Sequence, residues 1–175
     1  MLADVRHEPD VSELVRRTLN RFGRLDVAVN VAVADGVPGP LVEKTPADYC
    51  ATFDSNVLGT FLSMKHELRA MLAQSSGCIM NVASPFGVLT AAGAAFDVAS
   101  RHAVEGMTRA VALEAAPFGV RVNAISVEPV EAGLGMPLDG PEAAAGFADV
   151  IAFYCSAKAS FVTGRIIGGD GGRVA

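Results

Sequence analysis

The ten residues LDVAVNVAVA, Leu25 to Ala34, are nearly all apolar and rich in valine. A continuous apolar run of this length indicates a strand buried on both faces, which is typical of a parallel sheet. Two further apolar runs cover Cys78 to Ala83 and Val120 to Ser126, and a fourth strand is expected within Phe161 to Gly168. The sequence therefore predicts a sheet of about four parallel strands.

Helical segments separate these strands. The first is expected to begin at a capping Asp10 and to end at Gly23, with its apolar residues at helical spacing. A cap at Thr45 followed by Pro46 starts a long helix to about Ala73, and two more helices are expected at 94–116 and 140–156. Strands that alternate with helices form right-handed crossover units, which place helices on both faces of the sheet. The predicted fold class is α/β, with a doubly wound parallel sheet.

Composition sets the broad class. The chain has 175 residues, is 51% hydrophobic and carries a formal net charge of -5, which suits one globular domain. An acidic balance disfavours both nucleic acid and anionic membrane surfaces as partners. No apolar run reaches the roughly 18 residues that a membrane span needs. Met1 to Asp10 is charged and lacks an apolar signal core, so we expect a cytoplasmic protein.

The three cysteines, Cys50, Cys78 and Cys155, are widely spaced and form no CxxC pair. This pattern predicts neither a disulfide framework nor a zinc site, and it fits a reducing compartment. Each cysteine is expected to be a small core residue. The three histidines are scattered without metal-ligand spacing, so no metal site is predicted.

Short motifs follow one another in a fixed order along the chain. They are LDVAVNVA at 25–32, GPL at 39–41, NVLGTF at 56–61, NVASPFG at 81–87, GVRVNAI at 119–125, FVTG at 161–164 and DGG at 170–172. Together they resemble the short-chain dehydrogenase/reductase family, whose segments read LDVLVNNAG, NxSSxxG, GIRVNAI and FVTG…DGG. The resemblance extends from Asp4 to about Gly172 and implies a partial Rossmann-like fold.

The family opens with a strand, a TGxxxGIG loop and a helix whose N-terminus binds the cofactor pyrophosphate. The motifs of this chain begin after that loop, which implies a single domain over 1–175 lacking the N-terminal Gly-rich cofactor-binding half. The remaining strands correspond to the family's fourth to seventh. Residues 25–34 then form an edge strand, and we expect Val27, Val29, Val31 and Val33 to lose cover. Such a chain is expected to be marginally stable, sticky or covered by a partner.

The resemblance also implies site residues. In the family a tyrosine transfers a proton, a lysine lowers its pKa and holds the ribose, a serine binds the substrate carbonyl, and an asparagine supports a proton-relay water. Ser84 matches the serine and Asn56 the asparagine, but the tyrosine position is Asp97 and the lysine position is Arg101. The implied cofactor is NAD or NADP, and the implied substrate is an alcohol or ketone. Cofactor contacts are implied for Asp4, Val5, Asn30 and Ala32.

The two exchanged residues predict impaired catalysis. An aspartate ordinarily ionises with a pKa of about 3.9, so at neutral pH it has no proton to donate. It is also a weak base far from the working pH, and it is shorter than tyrosine. Arg101 keeps a positive charge but not the compact ammonium of lysine. Alternatively, Asp97 and Arg101 form a simple helix ion pair at i,i+4 spacing, contributing roughly 0.3–0.5 kcal/mol.

The remaining candidate residues can also be explained without catalysis. Ser84 could cap a loop, and Asn56 could bond the backbone at a helix kink. Tyr154 and Lys158 match Tyr-x-x-x-Lys, although they lie far downstream of the expected catalytic helix, which disfavours a displaced dyad. Two functions remain: an oxidoreductase with impaired catalysis, or a non-catalytic interaction protein of the same descent. In both cases we expect a homo-oligomer formed through the helices at 46–73 and 94–116.

Overall fold

The computed structural model describes residues 1–31, 34, 36–83, 92–127 and 141–169. Helices and strands alternate along these residues. In chain order they are α1 (Glu8–Phe22), β1 (Val27–Asn30), α2 (Pro46–Phe53), α3 (Gly59–Gln74), β2 (Gly77–Ala83), α4 (Ala95–Ala115), β3 (Val120–Val127), α5 (Pro141–Cys155) and β4 (Ile166–Gly169). None of the described helices has the length and apolar character that a bilayer crossing requires.

The four strands form one sheet in the order β1-β2-β3-β4, and all neighbouring pairs are parallel. The register places Ala28 beside Ile79 and Ile79 beside Val122, while Ile125 pairs with Ile167. Each connection between neighbouring strands contains a helix, as parallel pairing requires. The predicted α/β fold with a parallel four-stranded sheet is confirmed.

Helices cover both faces of this sheet. On one face, Ile79 and Val122 join a buried cluster with Met64 and Met71 of α3 and Ala112 of α4. Because successive strand residues point to opposite faces, their neighbours in sequence lie on the other side. There the guanidinium of Arg121 donates to the Tyr154 carbonyl of α5 over 2.8 Å. The doubly wound arrangement is therefore also confirmed.

The start of α1 differs from expectation. The helix begins at Glu8 with His7 in the N-cap position, so the prediction of Asp10 as the cap is wrong. Pro9 fits the first turn because proline has no N–H to leave unpaired, and this moves the start ahead of Asp10. The Asp10 carboxylate instead accepts from the Asp4 backbone N–H over 3.1 Å. Gly23 ends the helix as predicted, with φ at 79°.

The long helix expected after Thr45 is present, but a π-helical turn at Asp54–Leu58 divides it into α2 and α3. Its start is a full capping box. The Thr45 hydroxyl accepts from the Asp48 N–H, and the Asp48 carboxylate accepts from the Thr45 N–H over 2.9 Å. These reciprocal bonds satisfy two backbone donors that would otherwise lack partners. The division into two helices bears on the site, because the π-helical turn contains Asn56.

Strand β1 is shorter than the predicted run of residues 25–34. The Leu25 N–H donates to the side-chain oxygen of Gln74 over 2.9 Å instead of joining the sheet. The strand is also not buried on both faces, which corrects that expectation: Val27 and Val29 are each 40% exposed, and Val31 is 59% exposed. The exposure follows from the position of β1 at the sheet edge. The expected loss of cover is confirmed for these three valines, while Val33 lies outside the described residues.

The fourth strand is likewise shorter than the segment expected to contain it. It covers Ile166–Gly169, whereas Phe161 lies before it and is fully exposed. The side chain of Thr163 accepts from the Val122 N–H over 3.1 Å, and the Arg165 carbonyl accepts from the Ala124 N–H over 2.9 Å. The chain thus approaches β3 before regular pairing begins.

Candidate active site

Asn56 sits in the π-helical turn between α2 and α3 and is 3% exposed. Its side-chain oxygen accepts from the Ala34 N–H over 2.8 Å, and its amide nitrogen donates to the Ala34 carbonyl over 3.0 Å. The amide also donates to the Ser100 hydroxyl of α4 over 3.0 Å. This geometry matches the structural role, in which Asn56 bonds backbone at an irregular helix. A catalytic role for Asn56 stays a prediction.

Asp97 and Arg101 form the helix ion pair that their spacing predicts. Nε and Nη2 of Arg101 donate to the same Oδ1 of Asp97, at 3.1 and 3.0 Å. Both residues are buried in α4, with exposed fractions of 6% and 2%. Burial changes the energetics, because removing one member of a buried pair leaves an uncompensated charge. The small contribution expected for a surface pair therefore does not apply.

Three of the four predicted catalytic positions lie close together. Ser100 links them, because it accepts from the Asn56 amide and donates from its hydroxyl to the Asp97 carbonyl over 2.8 Å. Gly36, in the loop after β1, packs against Asp97, because a Cβ added to this glycine would lie 3.5 Å from the Asp97 Cβ. The loop after β1, the π-helical turn and the start of α4 thus converge. Ser84 lies outside the described residues, so its predicted role stays a prediction.

The predicted cofactor contacts are engaged within the protein. Hydrogen bonds from Arg6 lower the pKa of Asp4 to about 2, and the two side chains are 2.7 Å apart. Val5 packs closely on Gly59, because a Cβ added to the glycine would lie 2.7 Å from Cγ2 of Val5. The Asn30 amide donates to the side chains of two neighbouring residues. Ala32 lies outside the described residues.

Val5 and Asn30 nevertheless line one cavity of about 460 Å³ beside β1. Its wall is mostly apolar, and it includes the carboxyl of Glu67. The pyrophosphate of a dinucleotide is held by cationic side chains or converging backbone N–H groups, and no lysine or arginine is among the described residues that line this cavity. The described residues therefore do not by themselves fit a nicotinamide dinucleotide, and we derive no reaction step through one.

Sequence reasoning missed a buried polar chain beside this cavity. Asn30 and Asn81 are paired in the sheet register, and the amide of Asn30 donates to the Asn81 oxygen over 3.0 Å and to Glu67 Oε2 over 3.1 Å. The Asn81 amide in turn donates to the Thr108 hydroxyl over 2.9 Å. Burial raises the pKa of the Glu67 carboxyl to about 7, and the hydrogen bond from Asn30 opposes that rise. An asparagine interrupting each of two apolar strands was the available signal.

The downstream Tyr154 and Lys158 do not share a helix. Helix α5 ends at Cys155, and the Ser156 hydroxyl caps a separate 3-10 turn at Ala157–Ala159. The expectation that they form no displaced catalytic dyad stays a prediction. Within the ranges described, no three His, Cys, Asp or Glu residues are placed to hold a metal ion.

A family model described as enoyl-(acyl carrier protein) reductase matches residues 1–173 of the chain. Xanthoxin dehydrogenase of Arabidopsis thaliana is 42% identical over 124 residues, which cover 70% of this chain and 44% of that protein. The 2,5-dichloro-2,5-cyclohexadiene-1,4-diol dehydrogenase of Sphingobium indicum is 35% identical over 187 aligned positions, covering 97% of this chain and 75% of that protein.

Solved structures match over nearly all of the chain. Levodione reductase superposes with a TM-score of 0.88 at 30% identity, covering 99% of this chain and 76% of that chain. ElxO with NADP bound superposes with a TM-score of 0.85 at 30% identity, covering 97% of this chain and 75% of that chain. Both similarities therefore concern about three quarters of a longer protein.

Proposed function

This chain belongs to the short-chain dehydrogenase/reductase family, and from that premise we propose that it is an oxidoreductase by descent whose catalysis is impaired. The buried ion pair of Asp97 and Arg101 carries the proposal. In the family resemblance these two positions hold the proton-transferring tyrosine and its lysine. Here each charged group faces the other, so neither is free to serve a substrate in that way.

The short side chain of Asp97 and its existing hydrogen bonds both oppose proton transfer to a substrate. A general acid or base must come within hydrogen-bond reach of the substrate atom. The Asp97 side chain is short, and its Oδ1 already accepts two hydrogen bonds from Arg101. The amide of Asn56 is likewise committed to Ala34 and Ser100. We infer that Asn56 is a positioning residue, which fixes the loop after β1 against α4.

The names of the relatives bear on cofactor and substrate. Two relatives are named as dehydrogenases, one of them of a diol, while one solved structure is named as a reductase and another carries NADP. We propose that the whole protein descends from an enzyme that used NAD or NADP with a small alcohol or ketone. The predicted contacts from Asp4, Val5, Asn30 and Ala32 remain part of this proposal.

Dinucleotide binding and turnover test the impaired-enzyme proposal. We expect calorimetry of the 175-residue chain with NAD⁺ and with NADP⁺ to show no micromolar affinity. We also expect no change in nicotinamide absorbance with cyclic secondary alcohols or ketones, while levodione reductase is active in the same assay. Micromolar binding together with turnover that is lost in Asp97→Asn would contradict the proposal, because Asp97 would then be a working catalytic group.

A non-catalytic interaction protein is the second candidate, and exposed apolar side chains favour it. Val27 and Val29 on the edge strand are each 40% exposed, and Leu113 on α4 is 79% exposed. An uncovered strand edge also presents unpaired backbone groups, which promote pairing with another chain. We propose self-association, and the helices at 46–73 and 94–116 are the surface that the family resemblance implies.

Sedimentation velocity with two lysine variants separates the possible surfaces. We expect the wild-type chain to form a defined oligomer that Leu113→Lys dissociates, because a charge placed in an apolar contact loses its hydration. Val29→Lys serves as the matched control and should leave that oligomer intact. Dissociation by Val29→Lys alone would place the contact at the sheet edge and contradict association through the helices. A stable wild-type monomer would contradict self-association altogether.

A further inference from the structure

Two of the three cysteines meet on the sheet face that α5 covers. Cys78 lies in β2 and is 3% exposed, and Cys155 is the last residue of α5 and is half-buried. The Cys78 Sγ is 3.8 Å from the carbonyl oxygen of Tyr154, the residue that precedes Cys155. The residues are far apart in sequence, so their spacing gave no sign of a pair.

Arg121 of β3 places a positive charge beside this pair. Its guanidinium donates to the Tyr154 carbonyl over 2.8 Å and to the Ser156 carbonyl over 3.2 Å, on either side of Cys155. These bonds satisfy carbonyls at the end of α5 and offset their partial negative charge, which would otherwise disfavour a thiolate. The neighbouring Cys78 thiol, together with the charge of Arg121, lowers the pKa of Cys155 to about 7.

The two thiols therefore differ in reactivity. The neighbouring Cys155 thiol and burial both raise the pKa of Cys78, so Cys78 keeps its proton. The thiolate is the nucleophilic form of cysteine. Cys155 is partly exposed and has a pKa of about 7, so part of it is thiolate at neutral pH. Cys50 is exposed and lies on α2, away from this pair. The chain thus contains an accessible nucleophile beside a buried second thiol, an arrangement typical of redox-sensitive cysteines.

We propose that Cys78 and Cys155 form a reversible intramolecular disulfide by exchange with a small disulfide of the glutathione class. The Cys155 thiolate attacks one sulfur of glutathione disulfide, forming a mixed disulfide and releasing one glutathione thiolate. Cys78 then gives its proton to water and attacks the Cys155 sulfur, releasing the second glutathione. Two protein thiols are oxidised, and one glutathione disulfide is reduced to two glutathiones.

This modification is separate from the candidate active site. Cys78 is adjacent in sequence to Ile79, whose side chain points to the α3 and α4 face, so the thiol pair lies on the opposite side of the sheet from Asp97. The disulfide would tie β2 to the end of α5. Its test therefore does not depend on cofactor binding or turnover.

Mass spectrometry of the folded chain tests the exchange, with Cys50→Ser as the background that removes the exposed thiol. After incubation with glutathione disulfide, we expect this variant to lose the mass of two hydrogens and to give one peptide linking positions 78 and 155. Adding Cys78→Ser should stop the reaction at a mixed disulfide on Cys155. Adding Cys155→Ser should slow glutathionylation at least about tenfold, because Cys78 is buried.

Three results would overturn the proposal. They are a background variant that keeps both thiols, a mixed disulfide on Cys155 that persists although Cys78 is present, and linkage only between chains. A second test uses only the background variant, so it does not depend on the folding of either double variant. In this test the folded chain is alkylated with iodoacetamide. We expect Cys155 to be labelled with a midpoint near pH 7 and Cys78 only after unfolding in urea. Equal labelling of both in the folded chain would also refute the assigned roles.

Discussion

Replacing Arg101 by methionine is expected to lower the free energy of unfolding by about 3–5 kcal/mol. Asp97 is 6% exposed, and both of the hydrogen bonds that Arg101 gives it end on Oδ1. Methionine fills much of the same volume but carries no charge, so the variant leaves a carboxylate buried without this partner. Urea unfolding followed by circular dichroism measures the change, with the m-value checked for a constant unfolding transition.

A double variant distinguishes charge from packing. Asp97→Leu/Arg101→Met removes both charges, and we expect it to be far more stable than Arg101→Met, because apolar replacements of buried ion pairs are often neutral or stabilising. Arg17→Met is the matched control, since Glu13 and Arg17 have the same i,i+4 spacing with Arg17 62% exposed. We expect no resolvable change there. Equal losses in Arg101→Met and the double variant would show that packing, not charge, dominates at this site.

The contact between Asp97 and Arg101 could be predicted, but its burial could not. Spacing of four residues on a helix places two side chains next to each other whatever surrounds them. Which side of α4 faces the protein depends on where α2 and β3 lie, and these contacts join residues distant in sequence. The parallel sheet could be predicted for a related reason, because apolar runs that alternate with helical segments are local features of the sequence.

Side-chain contacts between neighbouring strands could not be predicted from the sequence. Asn30 meets Asn81 because β1 and β2 align in one particular register, and a shift of one residue would point their side chains to opposite faces. Cys78 likewise lies beside the end of α5, next to Cys155, only because α5 packs on the second face of the sheet. The exposure of Val27 and Val29, by contrast, followed from the expectation that β1 is an edge strand.

Replacing Glu67 by glutamine is expected to raise the free energy of unfolding at pH 8 by about 3 kcal/mol. Burial raises the pKa of Glu67 from 4.5 to about 7 in the folded chain. Below about pH 4.5 the carboxyl is protonated in both states and costs nothing extra. Between pH 4.5 and about 7 the folded chain holds a proton that the unfolded chain has released, so stability falls as the pH rises. Above about pH 7 the carboxyl is ionised in both states, and the folded chain bears the full free-energy cost of the buried charge.

The magnitude follows from that pH interval, at about 1.4 kcal/mol for each unit. Glutamine has no carboxylate to ionise, and its side-chain oxygen can still accept from the Asn30 amide, which now donates over 3.1 Å. Wild-type and variant stability measured from pH 5 to pH 8 should therefore diverge as the pH rises. Glu43→Gln, at an exposed position, should follow the wild-type curve. A constant difference between Glu67→Gln and wild type across this range would show that Glu67 does not titrate there, and that the buried polar chain beside the cavity keeps its charge.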